Sequence, residues 1–73
     1  MTVSTHSFSH SGHVAAASYD DVGQVLTIEF SDGGRYGYAN APRSLYDGLV
    51  ESVSPGSYFH RQIKGRYIHA KLG

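Results

Sequence analysis

The sequence predicts an α+β fold: a three-stranded antiparallel β-meander followed by two short α-helices packed on one face. Three observations carry that prediction. Between Gln24 and Ser31, Leu26, Ile28 and Phe30 alternate with Val25, Thr27 and Glu29, the period-two pattern of a half-buried strand. Asp32-Gly33-Gly34 then supplies a tight turn into Arg35-Tyr36-Gly37-Tyr38, so the two strands pair antiparallel. Finally, behind Pro42 and again behind Pro55, apolar residues recur at helical spacing, and proline suits the first turn of a helix.

Taken in order, residues 1–12 are rich in Ser, Thr and His and are expected as a flexible arm, with Phe8 able to dock. Residues 13–73 are expected as one domain. Val14 to Tyr19 makes a first strand, small-sided through Ala15, Ala16 and Ala17. Asp20-Asp21-Val22-Gly23 closes a turn in which Gly23 is free to take positive φ. The second strand spans 24–31 and the third 34–39. Tyr36 and Tyr38 share one face of that third strand, because side chains alternate across it. Gly37 leaves the other face bare, where another backbone or a ligand can approach.

Asn40 or Ala41 caps the first helix, whose stripe is Leu45, Tyr46, Leu49, Val50 and Val53, and Gly48 costs it up to about 1 kcal/mol relative to alanine. Ser54 caps a second helix with Phe59 and Ile63 inward and Arg61 and Lys64 outward. Gly65 suits a left-handed C-terminal position, and Arg66 to Leu72 is a tail. The expected core is Tyr19, Leu26, Ile28, Phe30, Leu45, Leu49, Val53, Phe59 and Ile63.

These residues together resemble the KTSC domain, named for its occurrence at the C-terminus of some lysyl-tRNA synthetases. The resemblance is carried by Tyr19-Asp20 before a turn, Leu26 and Phe30 on a strand, and a glycine before Tyr36-x-Tyr38. It continues through Pro42 opening a helix with Tyr46 and Leu49, then Ser54-x-Gly56 before Tyr58-Phe59, and Ile63 and Tyr67. The set runs in order over about four-fifths of the chain. His60 departs from it, standing where an Asn is common, and Ile68 stands where a Pro is expected. The resemblance implies a small stand-alone bacterial or phage domain, with RNA as the implied partner.

Composition narrows the function classes. At 73 residues the chain is near the lower limit for independent folding. A domain of this size buries about 60% of its chain's surface, which sets a stability of roughly 4–10 kcal/mol. There is no cysteine, hence neither a disulfide nor a thiolate, which fits a cytoplasmic location. No apolar run approaches the ~18 residues of a membrane span, so no membrane partner is expected, and no secretory signal is visible. Net charge is zero, but four of the six basic residues fall in the last thirteen positions while every acid lies before them.

Chemistry by this chain is not expected. It holds no nucleophilic serine elbow and no phosphate-binding loop, and Asp20, Asp21 and Asp32 sit in turns, where aspartates bond their own backbone. No catalytic residue or cofactor is therefore assigned. His6, His10 and His13 have a ligand-like spacing, but the serines and glycine between them oppose a helix, so no metal site is assigned either.

The C-terminal segment carries the binding expectation. Arg61, Lys64, Arg66 and Lys71 interleave with Tyr58, His60, Tyr67 and His69, as a surface that tracks phosphates and stacks bases requires. Tyr36 and Tyr38 either add a stacking platform or pack under the helices. The chain is thus expected to be a non-catalytic module for RNA or single-stranded nucleic acid. The alternative is a module for protein interaction or self-association through the Tyr-Gly-Tyr strand or a sheet edge.

Overall fold

The computed structural model describes residues 3–9 and 12–73. The three strands expected from sequence are present as β2 (Val14–Asp20), β3 (Val25–Phe30) and β4 (Arg35–Tyr38). They form the middle of a larger sheet. β1 (Val3–Ser7) pairs antiparallel with β2, and β5 (His69–Lys71) pairs antiparallel with β4, giving the order β1-β2-β3-β4-β5. Five strands therefore replace the expected three.

The two additional strands have a common physical explanation. A ladder is made by backbone groups, and a side-chain pattern appears only where one face is buried. β1 reads Val-Ser-Thr-His-Ser and lies at the sheet edge, where its outer side chains stay exposed. Part of the segment expected as an arm is thus a strand, while the expectation for Met1, Thr2, His10 and Ser11 falls outside the described residues. Phe8 does dock: it is half-buried on the core, and its N–H donates to the Ala15 carbonyl at 2.9 Å. β5 is three residues long and wholly exposed, so no apolar periodicity could mark it.

Within the sheet the pleat sorts side chains as its period demands. Leu26, Ile28 and Phe30 of β3 are buried on one face. In β2 the register slips between Val14 and Ala16, a bulge at Ala15. That extra residue lets Val14 and Ala17, three apart, both face the core.

Both helices lie in the connection from β4 to β5 and cover this same face. α1 (Arg43–Glu51) buries Leu45, Tyr46 and Leu49. It begins one residue later than a proline in the first turn implies: Pro42 itself occupies the cap position with extended backbone. Asn40 is left-handed at φ 56°, and Ala41 is buried, so neither caps. The helix stops at Glu51, and Val53, beyond its end, is fully exposed. That residue leaves the expected core, because the stripe runs out one turn before it.

α2 (Pro55–Tyr58) opens behind Ser54 with Pro55 in its first turn, but Ser54 makes no side-chain cap bond. It continues into a π-helical turn (Phe59–Ile63), closed where the Lys64 N–H donates to the Phe59 carbonyl at 2.9 Å. Phe59 and Ile63 are buried while Arg61 and Lys64 point out, as their spacing implies. Gly65 follows with φ 77°, the left-handed conformation expected of it.

Turn chemistry agrees with the sequence in kind and differs in one position. Asp20 Oδ1 accepts from the Val22 and Gly23 N–H groups at 3.0 and 3.3 Å. The positive φ falls on Gln24 (55°), not on Gly23. Arg43 locks this turn to α1 by ion pairs to Asp21 (2.9 Å) and Asp47 (3.3 Å), its guanidinium lying over the Tyr19 and Tyr46 rings. Beneath it the buried Tyr19 hydroxyl donates to the Ala41 carbonyl at 2.6 Å.

Candidate functional site

The helix-bearing face of the sheet is not fully covered. Where α2 ends, a groove of about 690 Å³ lies open between the π-helical turn, the β3–β4 hairpin and β5. Its floor is aromatic: Phe30, Tyr36, Tyr38 and Phe59. These rings meet edge-on, with interplanar angles of 73° for Phe30–Tyr36, 75° for Phe30–Phe59 and 72° for Tyr38–Phe59. Edge-to-face packing of this kind holds each ring against its neighbour.

The strand register explains why this surface assembles. Tyr36 pairs with Lys71 and Tyr38 with His69, so those four side chains share the face that the helices only partly roof. His69 tilts against both tyrosines, with ring centroids 5.8 and 5.6 Å away. Lys64 arrives from the other side, just after the π-helical turn. His13 and His60 complete that wall with near-parallel rings, 5.7 Å apart and 15° from coplanar.

The seven residues expected to contact nucleic acid therefore separate into groups. Lys64, Lys71, Tyr36 and Tyr38 converge on the groove. Tyr38 is only 4% exposed, so its ring is core first and groove floor second, while Tyr36 is half-buried. Burial raises the Tyr38 phenol above the usual tyrosine range, and the nearby Tyr36 adds to the effect. The two do not form a bare platform on an open sheet face.

Arg61 and Arg66 are exposed, and each is partly committed to the backbone. Arg61 Nε donates to the Ser57 carbonyl at 3.3 Å and Arg66 Nε to the Arg61 carbonyl at 2.9 Å. Tyr67 is half-buried against the core. Sequence reasoning missed His13 and Asp32 as groove residues, and it named His60 and His69 only as rings interleaved with the basic segment. His69 could be placed only by knowing that β5 exists, and His13 only by knowing that β2 starts beside α2.

The other expectations find definite places. Gly37 faces the helix-free side, where the Leu72 side chain fills its bare surface: a Cβ there would lie 3.4 Å from Leu72 Cδ1. The Tyr-Gly-Tyr strand is internal, and the sheet's edges are β1 and β5. Among the described residues no three His, Asp or Glu side chains converge as a metal-binding group. No helix among them is long and apolar enough to cross a membrane.

A five-stranded antiparallel sheet with two helices in its last connection, and an aromatic-floored groove beside them, defines a small α+β module. The chain belongs to the KTSC domain family, whose sequence profile matches residues 10–67. It is 36% identical over 59 residues to a lysine–tRNA ligase of Nostoc sp., covering 81% of this chain and 10% of the ligase. Against the lysine–tRNA ligase of Nostoc punctiforme the identity is 40% over 55 residues, again 10% of that protein. The chain thus spans about a tenth of the length of these ligases. A protein of Tsukamurella paurometabola is of matching size, 32% identical over 78% of this chain and 85% of its own length. The crystal structure of a KTSC domain protein from Yersinia pestis superposes with a TM-score of 0.90 at 28% identity, covering 99% of this chain and all of that one.

Proposed function

We propose that the chain is a non-catalytic module that binds RNA through the groove and the basic segment beside it. One observation carries this reading: Lys64, just after the π-helical turn, and Lys71, on β5, are brought to the same aromatic-floored groove as Tyr36. Cations on a stacking surface are the combination that single-stranded nucleic acid requires, phosphates meeting the lysines while unpaired bases meet the rings. Arg61 and Arg66 extend the positive surface outward, and Tyr67 braces it from the core side. The likeness to a tenth of a lysine–tRNA ligase, a protein that by its name acts on tRNA, supports RNA as the partner class. A cytoplasmic site of action follows from the same partner.

The test is a fluorescence titration of a labelled single-stranded RNA octamer at two salt concentrations. Binding should weaken with a log–log salt slope of about −1 to −3, the range for two to four phosphates met on a single strand. Lys64→Ala combined with Lys71→Ala should reduce the affinity at least about tenfold at low salt. A protein that ignores the octamer at low salt, or a double variant that binds as the parent does, refutes the proposal.

A further inference from the structure

The groove has a feature that a simple phosphate track does not need. Asp32 lines it together with Lys64 and Lys71. Yet the ion pairs among the described residues are those of Arg43 with Asp21 and Asp47, so the groove's acid and its two lysines stand unpaired with each other. One carboxylate oxygen of Asp32 is occupied, Oδ1 accepting from the Gly34 N–H at 2.9 Å. That bond fixes the side chain in its turn and leaves the charge uncancelled. Gly33, Gly34 and Gly65 add rim positions without side chains, and a Cβ at Gly33 or Gly65 would meet nothing within 4 Å.

Held-apart charges of both signs over an aromatic floor are complementary to a ligand that carries an anion, hydroxyl donors and a flat ring. The volume of about 690 Å³ falls within the few-hundred to ~1,000 Å³ range of small-molecule sites, so the open groove has room for one nucleotide unit. From this the geometry points to a pocket for a single unstacked ribonucleotide. Its phosphate meets Lys64 and Lys71, its base lies against Tyr36 and His69, and its sugar hydroxyls donate to Asp32. A carboxylate that accepts from ribose hydroxyls is a recurrent device of nucleotide sites, and the 2′-hydroxyl is what separates RNA from DNA. The inference rests on the RNA-binding reading for its ligand class and adds to it a unit size and a residue that selects ribose.

Amide NMR spectra of the full chain, titrated with AMP, 2′-deoxy-AMP and adenosine, test it. AMP should shift the amides of Gly33, Gly34, Tyr36, Gly65 and His69, with a dissociation constant at least about threefold lower than that of deoxy-AMP or adenosine. Asp32→Ser retains a hydroxyl oxygen able to accept from the Gly34 N–H while deleting the carboxylate, so it should bind AMP and deoxy-AMP equally. The pocket is overturned if millimolar AMP leaves those amides unmoved. The sugar assignment is overturned if deoxy-AMP matches AMP in the parent, or if Asp32→Ser keeps the discrimination. The RNA octamer separates this inference from the function it rests on. An octamer that binds without AMP binding defeats the pocket and leaves the module. AMP binding without octamer binding defeats the module and leaves a free-nucleotide site, and an octamer that displaces AMP supports both.

Discussion

Two glycines, alike in sequence, respond oppositely to the same added methyl group. Gly37 has ordinary strand backbone, and its Cβ would sit 3.4 Å from Leu72 Cδ1 and 3.6 Å from Val25 Cγ1, in normal contact. Gly37→Ala should therefore stabilise the fold by about 0.5–1 kcal/mol, through lower unfolded-state entropy and better packing. From sequence alone Gly48 is a pure helix cost, and alanine there is an expected improvement. The structure reverses that sign. The Tyr58 hydroxyl and ring lie directly over Gly48, and a Cβ would fall 2.8 Å from Tyr58 Cζ. Overpacking costs typically about 1–3 kcal/mol, more than the ~1 kcal/mol gained in propensity, so Gly48→Ala should lower the denaturation midpoint. In a Tyr58→Ala background the same change should turn stabilising, which a urea double-mutant cycle reads directly. If Gly48→Ala stabilises the parent, Tyr58 does not pack there.

At the scale of elements, β5 is the piece on which the groove depends and the piece the sequence concealed. The Ala39 N–H donates to the Ile68 carbonyl and the Leu72 N–H to the Arg35 carbonyl, at 2.9 and 2.7 Å. Those bonds flank the Gly37–Ala70 pair at two-residue spacing, which makes it a hydrogen-bonded pair of the antiparallel ladder. Ala70→Pro removes that donor and should release β5, at a stability cost of about 1–2 kcal/mol in thermal unfolding. His69 and Lys71 then leave the groove, and RNA affinity should fall several-fold while the rest of the sheet persists by circular dichroism. Unchanged affinity would put the binding surface elsewhere. Legibility follows the same physics. β3 is readable because Leu26, Ile28 and Phe30 bury one face, and the second helical segment because Pro55 opens α2 while Phe59 and Ile63 bury the π-helical turn after it. β1 and β5 are not, since edge strands with exposed side chains carry only backbone information. The tyrosine pair and Lys64 and Lys71 are visible singly in the sequence, but their convergence with Asp32, His13 and His69 exists only in the folded register.

Across the whole molecule, the tyrosines tie stability to alkaline pH. Tyr19, Tyr38, Tyr46 and Tyr58 are all held above the ordinary phenol range, in each case first by burial, which penalises the charged phenolate. For Tyr19 the nearby Asp21 adds to the shift while Arg43 opposes it, and for Tyr58 the addition comes from Tyr67. The sign follows from linkage. Below the unfolded value of about 10, both states keep the phenolic proton and stability is fully present. Above it the unfolded chain releases protons that the folded one retains, so stability falls as pH rises toward the folded values. The urea midpoint should be level with respect to these groups from pH 7 to about 9 and decline steeply beyond about 10. Tyr19→Phe separates the two roles of its residue. Loss of the hydroxyl that donates to the Ala41 carbonyl at 2.6 Å should cost about 1–2 kcal/mol at neutral pH. Removing one shifted phenol should at the same time make the alkaline decline shallower. The parent and the variant curves should therefore converge above pH 10, and curves that stay parallel would show that Tyr19 titrates alike in both states.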